Sequence, residues 1–226
     1  MFQKIIVGDD DAEGGRDAGV LALRLTGPDS RLITGHIPDG DDVADGLYRL
    51  VSQEAADLLV VGAHHHRGLV GADHARAALQ HAPCAVAIAP AGFSDAADTA
   101  IRVIGVGYQE NDPASDLALS TARVVAEATD AHVRVMHAVP ETNWEAPDSG
   151  AGRLAVASRQ RLSDLPGVTV VEGSVHDALV ALEQEVDLLV LGSHQHGALR
   201  RVAVGDTVAG LARDLVCPLL VVPAGD

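Results

Sequence analysis

The stretch "DLLVVGAHHHRG" at residues 57–68 returns as "DLLVLGSHQHGAL" at residues 187–199. Each copy is a short apolar run that ends in glycine and histidine. Other landmarks repeat with it. "CAVAIAPAG" (84–92) returns as "CPLLVVPAG" (217–225), and "KIIVGDD" (4–10) matches "RVIGVGY" (102–108). Asp57 pairs with Asp187 and Cys84 with Cys217, so the loop and helix between these landmarks are three residues shorter in the first copy. Self-similarity at this scale marks a duplicated unit. The copies join near "AGFSDAADTA" (91–100).

Within the second copy, apolar runs alternate with helical patterns. "IRVIGVGY" precedes "DPASDLALSTARVVAEAT", where Leu117, Val124, Val125 and Ala128 share a helical face. "HVRVMHAVP" (132–140), a polar stretch with a helix predicted over 141–165, "VTVVEGSV" (168–175) and a helix over 177–185 follow. "DLLVLGSH", a helix over 206–215 and "CPLLVVP" complete five strands. Strands apolar on both faces that alternate with helices imply a parallel sheet covered on both sides, a doubly wound α/β fold. In the first copy, "SRLITGHIPDG" and "DDVADGLYRLVSQEA" match the third strand and third helix of the second. One strand–helix pair is therefore missing between Leu25 and Ser30. The expected organisation is a truncated four-strand domain over 1–92 and a full five-strand domain over 101–226.

Composition agrees with such a core and excludes several functions. Of the 226 residues, 47% are apolar but only 2% aromatic, so Val, Leu, Ile and Ala must fill the interior. A formal charge of −16, with Lys4 the one lysine, argues against nucleic acid and anionic membrane surfaces as partners. No apolar run approaches the ~20 residues of a membrane helix, and the amino terminus enters a strand with no signal-type stretch. The two cysteines form no CxxC and suit a reducing cytoplasm, as small buried hydrophobes before the last strands.

Taken in order, these motifs resemble a tandem universal stress protein of the kind common in actinobacteria. "VGDDDAEGGRDA" is similar to the family's opening, with Asp10 at its adenine-side aspartate, and "GSHQHGALRRVAVGDT" resembles the family's nucleotide loop, G-x2-G-x9-G-[ST]. The resemblance implies an adenine nucleotide alpha hydrolase-like fold, ATP or a related adenine nucleotide as ligand, and pairing through the last strands. Here that pairing would join "CAVAIAP" to "CPLLVVP" within the chain, as a pseudo-twofold pair that covers two otherwise exposed edges. Two chains are expected to associate further. The implied nucleotide-binding residues are Gly192, His194, Gly197, Gly205, Asp206, Thr207, Val106 and Val139, with Asp10 and Gly62 in the first copy.

The match is incomplete in both copies. Gln195 replaces the middle glycine, and Asp206 stands where a Ser or Thr would donate to phosphate, with Thr207 one place late. A carboxylate beside phosphate is repulsive, whereas Asp206 as a helix N-cap needs no ligand. Gln109 replaces the family aspartate in the second copy, while the first keeps Asp10 but has a shortened loop. Eight of the eleven histidines fall near predicted strand ends: His36, His64, His65, His66, His137, His176, His194 and His196. His64 and His66 have the i, i+2 spacing of a zinc or nickel pair, though backbone or phosphate hydrogen bonds are the simpler use. No nucleophile–base set is legible, so a regulatory binding protein with a degenerate nucleotide crevice is expected, with at most weak ATP hydrolysis and no enzyme otherwise. The alternative is an interaction scaffold with vestigial sites.

Overall fold

The computed structural model describes residues 1–9, 13–36, 43–63, 78–79, 82–139, 150–165, 167–193 and 206–224 (side chains excepting 36, 43, 150–154 and 206). Nine strands alternate with helices: β1 (Phe2–Asp9), α1 (Glu13–Arg24), β2 (Thr26–His36), α2 (Val43–Glu54), β3 (Leu58–Gly62), β4 (Ala85–Ala89), β5 (Val103–Gly107), α3 (Pro113–Thr129), β6 (His132–Val139), α4 (Gly150–Arg161), β7 (Val168–Glu172), α5 (Val175–Glu183), β8 (Leu188–Ser193), α6 (Asp206–Leu211) and β9 (Leu219–Pro223). They form one sheet in the order β2-β1-β3-β4-β9-β8-β5-β6-β7. Every pairing is parallel except that of β4 with β9, which is antiparallel with Val86 opposite Val221 and Ile88 opposite Leu219.

Helices cover both faces, which is why the strands read as unbroken apolar runs. Ile5, Val7, Leu58, Ile104, Val106 and Leu188 pack under α1 and α3. Ile6, Leu59, Met136, Leu189 and Leu219 pack on the opposite face with Leu47 and Val51 of α2 and Leu179 of α5. The segment between β4 and β5 is tied down rather than loose. Asp17, fully buried in α1, accepts from the Gly92 and Ser94 N–H groups at 2.8 and 2.7 Å. Arg24 then donates to Thr99 at 2.8 Å.

The repeated aspartates have a structural task. The Asp57 carboxylate accepts from the Gln3 and Lys4 N–H groups at 2.7 and 2.9 Å, while its own N–H donates to the Lys4 carbonyl at 3.0 Å. Asp187 does the same for Arg102 and Val103, both at 2.9 Å, and donates to the Val103 carbonyl at 2.8 Å. Each thereby satisfies the donors at the start of a central strand and fixes its register with the neighbour.

β2 resembles a third strand in sequence but takes the second place, since Ile5 lies opposite Leu32 as Ile104 lies opposite Val133. It also starts earlier than the pattern predicts, at Thr26, and is displaced in register between Phe2 and Lys4. α2 then packs on the face that α5 takes in the second half. On the other face α4 covers β6 and β7 through Ala155 and Leu162, packed on Val139 and Val170. No such helix covers β2 among the described residues, and Leu32 is left 37% exposed. The remaining helices are shorter than the periodicity suggests: α4 begins at Gly150, with 141–149 outside the described residues, and α6 ends at Leu211.

One core position breaks the apolar rule. α2 turns the i, i+4 pair Leu47 and Val51 inward, whereas α5 turns Leu179 and Glu183 inward. Glu183 is 3% exposed, and its Oε1 finds no hydrogen-bond partner among the described residues. Burial pushes its carboxyl up to about 7. Burial, with help from Glu183, also pushes the Cys217 thiol up to about 12, and Cys84 is raised to about 12 chiefly by burial too.

Two outcomes are expected. Asp187→Ala strips two N–H groups of their acceptor and should cost about 1–3 kcal/mol in urea unfolding, with Asp187→Asn milder. Glu183 ionises near its ordinary 4.5 when unfolded but only near 7 when folded, so the unfolded chain holds fewer protons in that window. Stability should therefore fall as pH rises from about 4.5 to about 7 and level off above. Glu183→Gln should remove that decline and raise the melting temperature at pH 8, read by thermal scans across pH.

Candidate ligand crevice

In the second half the strand order is β9-β8-β5-β6-β7, so the chain reverses direction of winding between β8 and β5. Loops at the carboxyl ends of those two strands must diverge to opposite faces, which opens a crevice there. A cavity of about 690 Å³ occupies this place. Its volume lies in the range typical of small-molecule sites.

Three elements shape it. β5 ends at Gly107 and runs into Tyr108, Gln109 and Glu110, which line the cavity with Asp112 and Ser115. Asp112 caps α3: its carboxylate accepts from the Ala114 and Ser115 N–H groups at 3.1 and 3.2 Å and from the Ser115 hydroxyl at 2.7 Å. Pro113 follows at the first helical position, where a missing N–H costs nothing. Ser115 Oγ in turn accepts from the Gln109 N–H at 3.0 Å, so the turn leaving β5 is closed from within. β6 contributes Met136, His137, Ala138 and Val139, and α5 contributes Val175 and Leu179. The far wall is Leu191, Gly192, Thr207 and Val208.

Gly192 is required by packing before any ligand is considered. A Cβ on it would stand 2.2 Å from the Ala114 carbonyl oxygen, so the start of α3 rests directly on β8. Gly62 is held in the same way, 2.1 Å from the Gly14 carbonyl of α1. The repeated glycine of the two "DLLV" runs thus marks a close helix–strand contact.

The polar groups of the cavity form a connected set. Arg161 of α4 donates through Nε to Glu110, and through Nη2 to Glu110 Oε1 at 3.1 Å and to the Ser158 hydroxyl at 3.1 Å. These bonds from Arg161 hold the Glu110 carboxyl below its usual range despite its burial, with Ser158 assisting. His137 Nδ1 lies 2.9 Å from the Tyr108 carbonyl, and its Nε2 lies 3.9 Å from Glu110 Oε1. The Tyr108 hydroxyl donates to Asp116 at 2.7 Å, and burial, that bond and the surrounding carboxylates push the phenol up to about 12.

Of the residues the motif implies, Gly192, Val139 and Thr207 lie on the cavity wall. Val106 does not: it is fully buried in the core beneath α3, because strand alternation turns it away and brings Gly107 to the cavity. Gly62 lies in the first half, at the opposite end of the sheet. Asp206 opens α6, but its side chain is outside the described residues, as are Asp10, His194, Gly197 and Gly205. The His64 and His66 pair is outside them as well. Among the described residues no three His, Cys, Asp or Glu side chains gather as a metal site would require. Of the strand-end histidines, His137 reaches the cavity, whereas His176 stands in the first turn of α5, facing Gly210. Glu110, Ser158 and Arg161 escaped the motif altogether. The one available signal was the i, i+3 spacing of Ser158 and Arg161 on an otherwise polar helix.

A parallel sheet covered on both faces, with a crevice at its switch point lined by aliphatic walls and a few convergent polar groups, defines a doubly wound α/β protein. The sequence matches the Universal stress protein family over residues 36–90 and 100–223. The chain belongs to that family. A universal stress protein from Archaeoglobus fulgidus has a similar structure, with a TM-score of 0.63 at 15% identity, over 98% of each chain. A putative universal stress protein from Pseudomonas aeruginosa gives 0.67 at 17% identity, over 98% of this chain and 93% of that one. At such identities the likeness concerns the fold. No curated protein matches the sequence. No helix among the described residues is long and apolar enough to cross a membrane.

Because Asp112 both caps α3 and braces the turn that frames the cavity, Asp112→Ala should cost about 1–2 kcal/mol in chemical unfolding. Amide exchange at Ala114 and Ser115 should rise with it, and an unchanged exchange rate there would contradict the assigned cap.

Proposed function

We propose that this protein is a non-catalytic regulator of the universal stress type, and that the crevice of its second half binds an adenine nucleotide through a reduced set of contacts. The carrying observation is the cavity of about 690 Å³ at the switch point, large enough for a nucleotide and lined by Val139, Leu179, Leu191 and Val208 against a few polar groups. Apolar walls suit a purine face, and Gly192 with Thr207 mark the side on which the family loop would take phosphate.

The contacts are reduced at two points. Gln109 stands at the adenine-side aspartate, and Asp112, the next aspartate in the turn, is already engaged by three donors of α3. A weak site, with affinity in the micromolar to millimolar range, follows from this loss. The same feature favours one competing assignment, an interaction scaffold whose crevice holds no nucleotide. Regulation would act through the surface around the cavity, where α4, α5 and α6 converge. A reducing cytoplasm is the setting we propose, in keeping with two free, buried thiols. Association of two chains belongs to the same proposal, with light scattering as its check.

Isothermal titration with ATP, ADP and AMP should give saturable heat at one site per chain. Absence of heat at millimolar concentrations of all three would leave the scaffold assignment standing in its place.

A further inference from the structure

We propose that Glu110, His137, Ser158 and Arg161 form a diol-recognition patch, which selects a ligand carrying the vicinal hydroxyls of a ribose. This rests on the nucleotide assignment above and assigns the residues that read the sugar.

The inference starts from the hydrogen on His137. The Tyr108 carbonyl can only accept, so the Nδ1 that lies 2.9 Å from it carries the proton. In the neutral ring Nε2 is then a bare acceptor. It lies 3.9 Å from Glu110 Oε1, a second acceptor. That separation is too long for a direct hydrogen bond and suits two donors on adjacent atoms, or one donor shared between the pair. Both side chains line the cavity, with only 11% and 15% of their surfaces exposed.

Donors stand beside these acceptors. Arg161 keeps N–H groups at the same wall, and the Ser158 hydroxyl, accepting from Arg161 at 3.1 Å, has its own hydrogen directed to Glu110. A patch that sets two acceptors beside the remaining Nη1 N–H groups of Arg161 complements hydroxyl groups, each of which donates once and accepts as well. An amino group, which only donates, would leave those Arg161 donors unused. Use of a carboxylate to read ribose hydroxyls is an established solution in doubly wound nucleotide-binding folds. Here that carboxylate comes from the turn after β5 and is held in place by α4.

The Arg161 pairing orients Glu110 in advance. Two bonds from one guanidinium fix the plane of the carboxylate, and Glu110 needs no reorganisation when hydroxyls arrive. Among the described residues α4 has no counterpart covering β2, so none of them forms such a patch in the first half.

The test is a calorimetric titration of the intact chain with AMP, 2′-deoxy-AMP, 3′-deoxy-AMP and UMP, in the natural protein and in Glu110→Gln. Loss of a hydroxyl hydrogen bond to a charged partner should weaken binding of each deoxy ligand about tenfold against AMP. In Glu110→Gln that preference should shrink to about twofold. Equal affinities for AMP and its deoxy analogues in the natural protein would overturn the patch and leave nucleotide binding intact. A preference for hydroxylated ligands that UMP shares with AMP would sustain the patch and remove the adenine assignment. Failure of all four to bind at millimolar concentration would overturn both. The ligand series in the natural protein decides the question alone if the variant does not fold.

Discussion

The antiparallel contact of β4 with β9 holds the molecule together at its centre. Val86, Ala87 and Ile88 face Val221, Leu220 and Leu219, and none of the six has any exposed surface. Either strand alone would be an apolar edge with a free row of backbone donors and acceptors, a template for aggregation. Paired, they turn two short sheets into one of nine strands and move the edges out to β2 and β7. The antiparallel sense has a second effect. It sends the carboxyl ends of β1 and β3 to one end of the sheet and those of β5, β6 and β8 to the other. All the residues that line the cavity therefore come from the second half.

On those terms the halves differ. Among the described residues the first half has one strand fewer and no helix over the outer face of β2, where Leu32 is partly exposed. The second half kept α4, whose Ser158 and Arg161 close the polar side of the cavity against Glu110 and His137. Both halves kept the features that hold a strand in place: the aspartates that satisfy neighbouring strand donors, and the glycines that let a helix sit against the sheet. The features common to both halves are thus structural, and the glycines among them are fixed by packing alone, since a Cβ about 2 Å from a backbone carbonyl is intolerable.

Much of the fold was legible because similar apolar runs occur twice in the sequence. The alternation of strands and helices follows from them. The exchange of β2 into second place was not legible, because neighbours in a sheet are chosen by packing and not by resemblance. Of the motif residues, Gly192, Thr207 and Val139 line the cavity, whereas Val106 faces the core, since one residue along a strand reverses the face. Glu110, Ser158 and Arg161 carry no common spacing, since they meet only when α4 folds over the end of β5. Glu183 was invisible for the opposite reason: a glutamate on an amphipathic helix reads as a surface residue, and only the turn of α5 puts it inside.

The location of bound nucleotide is the most direct measurement. A crystal structure of the chain grown with AMP should place the ligand in the second half, its base between Val139 and Leu191, with none at the ends of β1 and β3. Nucleotide at the ends of β1 and β3, or in neither half at saturating AMP, would contradict the division of roles between the two copies.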